Sequence, residues 1–500
     1  MSRFLRSALL SFAVVLVAGS AALADSLSFG SVSGPDATFG AVTGSSYSQP
    51  GSFSPYTATG AVVGWEATTA SFASGYGIKG SYLLATASSQ KFTRTTSIPS
   101  LTLPITWCGW VLITNTTQTN VFFELDDDGA GGSNDLFGVW SAATTGVPNA
   151  GTQAAGTLAT ATASAFSTGT WYRVVAVWKA ANDRYIYTSA DTTGGNNTTS
   201  LTPSGIDRIR IGSTVAGTYA SEETGPQWLF CGTDWSGAGN ATARNNFLTN
   251  GCDPESSACL GINATARWLF DNAATDSRGS YDLTATNSPT AQNKVLALYN
   301  RVTANPTYVA RATASASAPT WSASAMGGVG GAVFASASSQ FLVCSTTPVT
   351  AAPLQAYCAA LSNNVTAHYK VVSICDSSST TNAFALTFKG DTAGDPVRWS
   401  AIAAVADTSS GYSASTVALL WGLETSSTSR SVEINGSSTG TDTTSATPAS
   451  IDRIGLGYLA VSAPGNYLDG EIGFALLMDT ASTTDQAAIE AWSTTTFGAP

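Results

Sequence analysis

The sequence holds one histidine, His368, in 500 residues. That excludes zinc sites built on several histidines and leaves room for at most one Ser-His-Asp or Cys-His arrangement. Charge is scarce too: 11% of residues are Asp, Glu, Lys or Arg, against about 25% in an ordinary soluble protein. With 21 basic and 32 acidic residues the net charge is -11. No Lys/Arg stripe exists to release counterions from phosphates, so the sequence predicts no nucleic-acid partner. A 43% hydrophobic content at this low charge excludes charge-driven disorder. No C-x-x-C pair offers zinc a thiolate clamp, and no Gly-x-Ser-x-Gly elbow leads from a strand into a helix. Beyond the N-terminus, no apolar run approaches the roughly 20 residues needed to cross a bilayer.

What is present begins with an export signal. Arg3 and Arg6 precede an apolar run, Ala8 to Ala18, and Ala22-Leu23-Ala24 supplies small residues where signal peptidase reads. Residues 1–24 are therefore predicted to be removed, leaving a secreted or cell-surface chain that starts at Asp25, carries a net charge of -13 and has no membrane span. Seven cysteines in an exported chain point to disulfides. Cys252 and Cys259 would close a small loop. Cys358 and Cys375 flank what reads as a hairpin, Ala356 to Leu361 and Tyr369 to Ile374 around Ser362-Asn363-Asn364, and could face each other across it. Seven is odd, so at least one thiol stays unpaired or bridges chains, and Cys108, Cys231 and Cys344 have no assigned partner.

The chain also repeats itself at a spacing of nearly half its length. Ala85-Thr-Ala-Ser-Ser-Gln90 recurs as Ala335-Ser-Ala-Ser-Ser-Gln340, and Ile206-Asp207-Arg208-Ile209-Arg-Ile211-Gly212 as Ile451-Asp452-Arg453-Ile454-Gly-Leu456-Gly457. Trp107-Cys108-Gly-Trp110-Val111 sits opposite Tyr357-Cys358-Ala-Ala-Leu361. A period this long marks duplicated domains, not a solenoid of 20–50-residue repeats (about that range). Strand patterns dominate. In Trp171 to Trp178 both alternating faces are apolar except at Arg173, which suits a strand covered on both sides. Ile454 and Leu456 share an inward face with Arg453 outward. Only Ala238 to Leu248 and Thr484 to Trp492 read as helices, each after the last strand of its repeat.

These motifs, in this order, resemble the laminin-G-like branch of the concanavalin A-like lectin and glucanase superfamily. Arg267-Trp268-Leu269-Phe270-Asp271 with Asp276-Ser277-Arg278-Gly279 resembles its opening strand and turn. Gly331 to Phe341, Trp421, Ser431 to Gly436 and Tyr467-Leu468-Asp469-Gly470-Glu471-Ile472 resemble the strands that follow. The first half matches from about Gly80 to Leu248; its beginning is less typical. The resemblance implies an all-β protein: two tandem antiparallel β-sandwich (concanavalin A-like jelly-roll) domains with short C-terminal helices. They would occupy residues 25–250 and 263–500, joined by a linker, 251–262, that carries the small cysteine loop.

Chemistry-bearing residues are few. In Glu124-Leu125-Asp126-Asp127-Asp128, Glu124, Asp126 and Asp128 would share one strand face. Paired carboxylates are what retaining glycosidases use, and laminarinase-like members of the superfamily carry Glu-x-Asp-x-Glu. Here the last acid is Asp128, and glycines follow at once, so the acids fall at a hairpin tip. Asp126, Asp128, Asn134 and Asp135 around that glycine loop also form a candidate calcium site, since calcium takes hard oxygen ligands. A solvated acidic turn is the plainer reading. His368 falls in a predicted loop and reads as a turn residue, not a base. Trp107, Trp110, Trp171, Trp178, Trp268 and Trp421 lie in strand patterns and read as core. Trp235, Tyr458 and Tyr467 lie near loops or strand ends and are the aromatic candidates for ligand binding.

The leading expectation is an exported, non-catalytic, lectin-like or adhesive protein that binds an extracellular glycan or another surface ligand. Two copies would add avidity. The rival is a self-associating structural subunit of a surface layer, matrix, appendage or phage-like particle. A glycoside hydrolase or lyase of jelly-roll type, resting on Glu124 and Asp126, is the third reading. Fold alone does not decide among them.

Overall fold

A computed structural model of the chain describes residues 58, 60–73, 76–127, 135–257, 259–271, 273–302, 307–481 and 485–498. The predicted export signal lies outside the described residues. Among the described residues, four antiparallel sheets make two sandwiches. In the first, a sheet centred on Ile105–Ile113, Tyr172–Ala180 and Glu222–Cys231 faces one containing Arg208–Ile211, Asn120–Asp126, Leu136–Ser141, Pro148–Ala154 and Thr157–Thr162. Trp107, Phe123, Trp178 and Ile209 pack between them. The second repeats the plan. Leu354–Ser362, Ala418–Ser426 and Gly470–Met478 face Arg453–Leu456, His368–Cys375, Ala383–Lys389, Pro396–Ala401 and Ala404–Gly411, across Leu354, Trp399 and Leu456.

Alternation explains the strands. In Tyr172–Ala180, Val174, Ala176 and Trp178 enter the core between the sheets, while Val175 and Val177 enter a second apolar layer behind the sheet. Both faces are covered, as the unbroken apolar run predicts. Asn435 and Gly436, with φ of 53° and 65°, supply the two left-handed residues of the tight turn between Ser429–Ile434 and Ser438–Asp442. Two helices, Ala241–Asn250 and Gln486–Phe497, each follow the closing strand of a sandwich, and a shorter one, Thr69–Ala73, follows the strand Ala61–Glu66.

The division into 25–250 and 263–500 does not survive the sheet pairing. Ala266–Trp268, Thr284–Thr286 and Thr290–Ala291, from the second repeat, pair with Glu222–Cys231, Lys91–Arg94 and Tyr82–Leu84 of the first sandwich. Ala61–Glu66, from the first repeat, pairs with Gly470–Met478 of the second sandwich, and Gly77–Lys79 pairs with Val295–Leu298. The repeats have exchanged their opening strands in matching register: Trp65 lies opposite Ala475 and Trp268 opposite Gln227. One sandwich is thus built from a continuous stretch, about Tyr82 to Ala291, set between the two parts of the other. Backbone hydrogen bonds and a buried tryptophan satisfy either closing strand equally well, so linear order does not dictate which body a strand joins.

The crossover is a two-stranded ribbon. Val295 lies opposite Lys79 and Ala291 opposite Tyr82. At the crossing the Gly80 N–H donates to the Lys294 carbonyl (2.8 Å) and the Gln292 N–H to the Ser81 carbonyl (2.9 Å). Gly80 has φ +93°, and a Cβ there would lie 2.5 Å from the Phe270 carbonyl oxygen, so glycine is required. Ile78, Leu296, Ala297 and Val309 then pack with Trp110, Trp171, Trp228 and Phe247, joining the sandwiches through one apolar cluster.

Cys252 and Cys259 are joined, with Cα atoms 6.1 Å apart. Cys358 and Cys375 are not; they are separate thiols, as are Cys108, Cys231 and Cys344. The hairpin expected between them is a crossing from one sheet to the other. Leu354–Ser362 pairs with Ala418–Ser426 and Gly470–Met478, whereas His368–Cys375 pairs with Ala383–Lys389 and Arg453–Leu456. Cys358 points into the core between the sheets and Cys375 away from it.

Candidate functional site

Along Asn120–Asp126, Phe123 and Leu125 point into the core and Glu124 and Asp126 to the outer face of the sheet. Direct cross-strand pairing sets a row of side chains on that face: Thr93, Arg210, Glu124, Gly138, Gly151 and Thr160. Arg210 Nε donates to Asp126 Oδ2 (2.7 Å), and the Val215 N–H of a loop folded over the sheet donates to Glu124 Oε1 (2.7 Å). Asp126 Oδ1 has no hydrogen-bond partner among the described residues. Burial pushes the Glu124 carboxyl up to about 8; the Asp126 charge adds to this, and the Val215 N–H and Arg210 oppose it. Burial also pushes Asp126 up to about 6, against its bond to Arg210.

A protonated acid beside a carboxylate is the pairing glycosidases use. Here, however, Glu124 is 1% exposed beneath the Val215 loop and Asp126 is fully buried, so neither reaches a substrate in this arrangement. Of the four calcium candidates, Asp128 and Asn134 lie outside the described residues. The other two face opposite ways. Asp126 lies directly across from Leu136 on the outer face, so Asp135, one residue earlier, is turned to the other side. Asp135 accepts from the Ala155 N–H (2.9 Å), the Ser204 N–H (2.8 Å) and the Ser204 hydroxyl (3.1 Å). Burial acts to raise its carboxyl, but these bonds together hold it below the usual range. Asp135, and Asp126 through Oδ2, are thus committed to protein donors, and the two are not brought together.

Sequence reasoning missed the residue beside the acids. Leu136, Gly138 and Trp140 alternate with the core residues Phe137 and Val139, which turns Trp140 outward. Its indole packs against two glycines: a Cβ at Gly151 would overlap the ring, and one at Gly138 would lie 3.1 Å from it. Trp140 is partly exposed, and no aromatic pair, cation–π contact or hydrogen bond involves its indole among the described residues. The signal was available in the alternation and in the small residues on the same face.

The aromatic candidates named from the sequence fall elsewhere. Trp235 is not near the surface; it is fully buried beside Phe230 and Phe247, because the Ala241–Asn250 helix covers it. Tyr458 is also buried, against Phe341 (4.3 Å between ring centres), while Tyr467 is partly exposed and stacks on Tyr458 at 5.9 Å. These three rings cap the outer face of the second sandwich. His368 opens a strand instead of lying in a hairpin loop, and its Nδ1 lies 2.9 Å from Asp391 Oδ2. In the second sandwich Ser373, Cys375 and Gly455 stand where the first has Glu124, Asp126 and Arg210.

No protein-family model and no curated protein matches the sequence. Among solved structures, the chain is similar to domains LG4-5 of the mouse laminin alpha1 chain, at 10% identity and a TM-score of 0.26. That match covers 79% of this chain and 88% of the laminin fragment. It is also similar to a heptameric SAP-like pentraxin from Limulus polyphemus, at 11% identity and a TM-score of 0.30, over 43% of this chain and 94% of the pentraxin. Among the described residues, no helix is long and apolar enough to cross a membrane.

Proposed function

We propose that the chain is an exported, non-catalytic glycan-binding protein of lectin type. Trp140 carries the reading. A partly exposed indole held against glycines on a rigid sheet face offers a sugar ring an aromatic contact at little conformational cost, and its N–H remains available to donate to a sugar hydroxyl. Thr160 and Arg210 stand on the same face. The Cys252–Cys259 bridge suits an oxidising compartment outside the cytosol.

The test is a glycan array followed by titration calorimetry on the chain from Asp25 onward, with Trp140→Ala alongside. Losing a stacking ring costs about 0.5–1.5 kcal/mol beyond its buried area, so affinity should fall about tenfold. Equal affinity in the variant would remove Trp140 from the site. Large ordered assemblies that hold no glycan would support the structural-subunit reading in its place.

A further inference from the structure

The two sandwiches differ at one matching place. In the first, the Trp140 indole fills the space above Gly138 and Gly151. Pairing from the Glu124 and Ser373 positions outward matches Gly138 with Ala385, Gly151 with Ser400 and Trp140 with Thr387. With threonine in place of tryptophan the space stands open. It forms a cleft of about 240 Å³ floored by Ala383, Ala385 and Ser400 and walled by Leu459, Ile402 and Lys370. That is below the roughly 300–1,000 Å³ of drug-sized sites and suits a single ring.

The wall supplies one uncommitted cation. Lys370 Nζ donates to Thr387 Oγ1 (2.9 Å) and makes no ion pair among the described residues. Its cationic neighbours are committed: Arg398 to Asp407 (2.6 Å), and Lys389 to Asp391. Burial, helped by Arg398 and Lys389, pushes the Lys370 amine down to about 8, which leaves it mainly protonated at neutral pH. A desolvated ammonium without a carboxylate is stabilised by any anion that enters.

We propose that this cleft binds one acidic sugar unit, its ring on the Ala385–Ser400 floor where the sister domain places an indole, and its carboxylate on Lys370 Nζ. The proposal rests on the glycan-binding reading and names a ligand class for a second site. The Ser400 hydroxyl lines the cleft and can accept from a ring hydroxyl.

The experiment is calorimetry of the chain from Asp25 with sodium glucuronate and with glucose, for the native chain, Lys370→Met and Ala385→Leu, each checked for a native melting profile. The proposal expects glucuronate to bind at least tenfold tighter than glucose. It expects that preference to vanish in Lys370→Met, and glucuronate binding to fall at least tenfold in Ala385→Leu, which fills the floor but keeps the amine. Neutral glycan binding without a preference for glucuronate, or an acid preference that both variants keep, would overturn this inference alone. A native chain that binds no sugar of either kind would overturn the glycan-binding reading with it.

Discussion

Glu124 makes the first sandwich sensitive to alkali in a way that one substitution should remove. Its carboxyl rises from an ordinary 4.5 to about 8 in the fold. A raised acid is protonated in the folded chain but ionised in the unfolded one, so its contribution is fully present below pH 4.5 and is lost as pH climbs towards 8. With those two values the loss is about 1 kcal/mol at pH 5, about 3 at pH 7 and about 4 at pH 8. Glu124→Gln mimics the protonated acid and keeps an oxygen for the Val215 N–H. Urea unfolding followed by tryptophan fluorescence at pH 5, 7 and 8 should show the variant nearly matching the native chain at pH 5 and exceeding it by about 3 kcal/mol at pH 7. Parallel stability curves for the two proteins would refute the reasoning, because they would mean that Glu124 carries the same charge folded and unfolded.

Glu222 should behave alike. It is fully buried, its carboxylate oxygens have no partner among the described residues, and burial raises its pKa well above the ordinary value. Glu222→Met should therefore stabilise the first sandwich at pH 7 by about 1–3 kcal/mol, as relief of an unsatisfied buried group, measured by the same unfolding curves. The exchanged strands predict that a fragment of residues 80–292 folds with cooperative melting while a fragment of residues 25–250 does not; the reverse outcome would contradict the pairing. Thiol titration of the unfolded, unreduced chain should find five reactive thiols, and three would restore a second bridge.

Much of the fold was legible because it is local. The alternation in Tyr172–Ala180 and Arg453–Leu456, the Asn435-Gly436 turn and the helices after each closing strand depend on residues a few positions apart. The register of one repeat against the other was less legible. Cys108 and Cys358 align by eye, yet Cys108 points outward and Cys358 inward; a one-residue slip reverses a strand's faces, and letters alone do not record the slip. The site was half legible. Glu124 and Asp126 do share a face, but only the fold shows that the Val215 loop seals them in, and only cross-strand pairing lays Trp140 over Gly151.

The amino-acid order by itself determined that this chain is built of strands, that it is duplicated and that it lacks the charge and histidine for several chemistries, because periodicity and composition are properties of neighbouring residues. Which body each opening strand completes, which thiols meet and which side chains share an outer face were decided by tertiary structure alone. Those outcomes depend on hydrogen-bond and packing partners as far apart as Glu66 and Phe474, and several pairings satisfy the same local pattern.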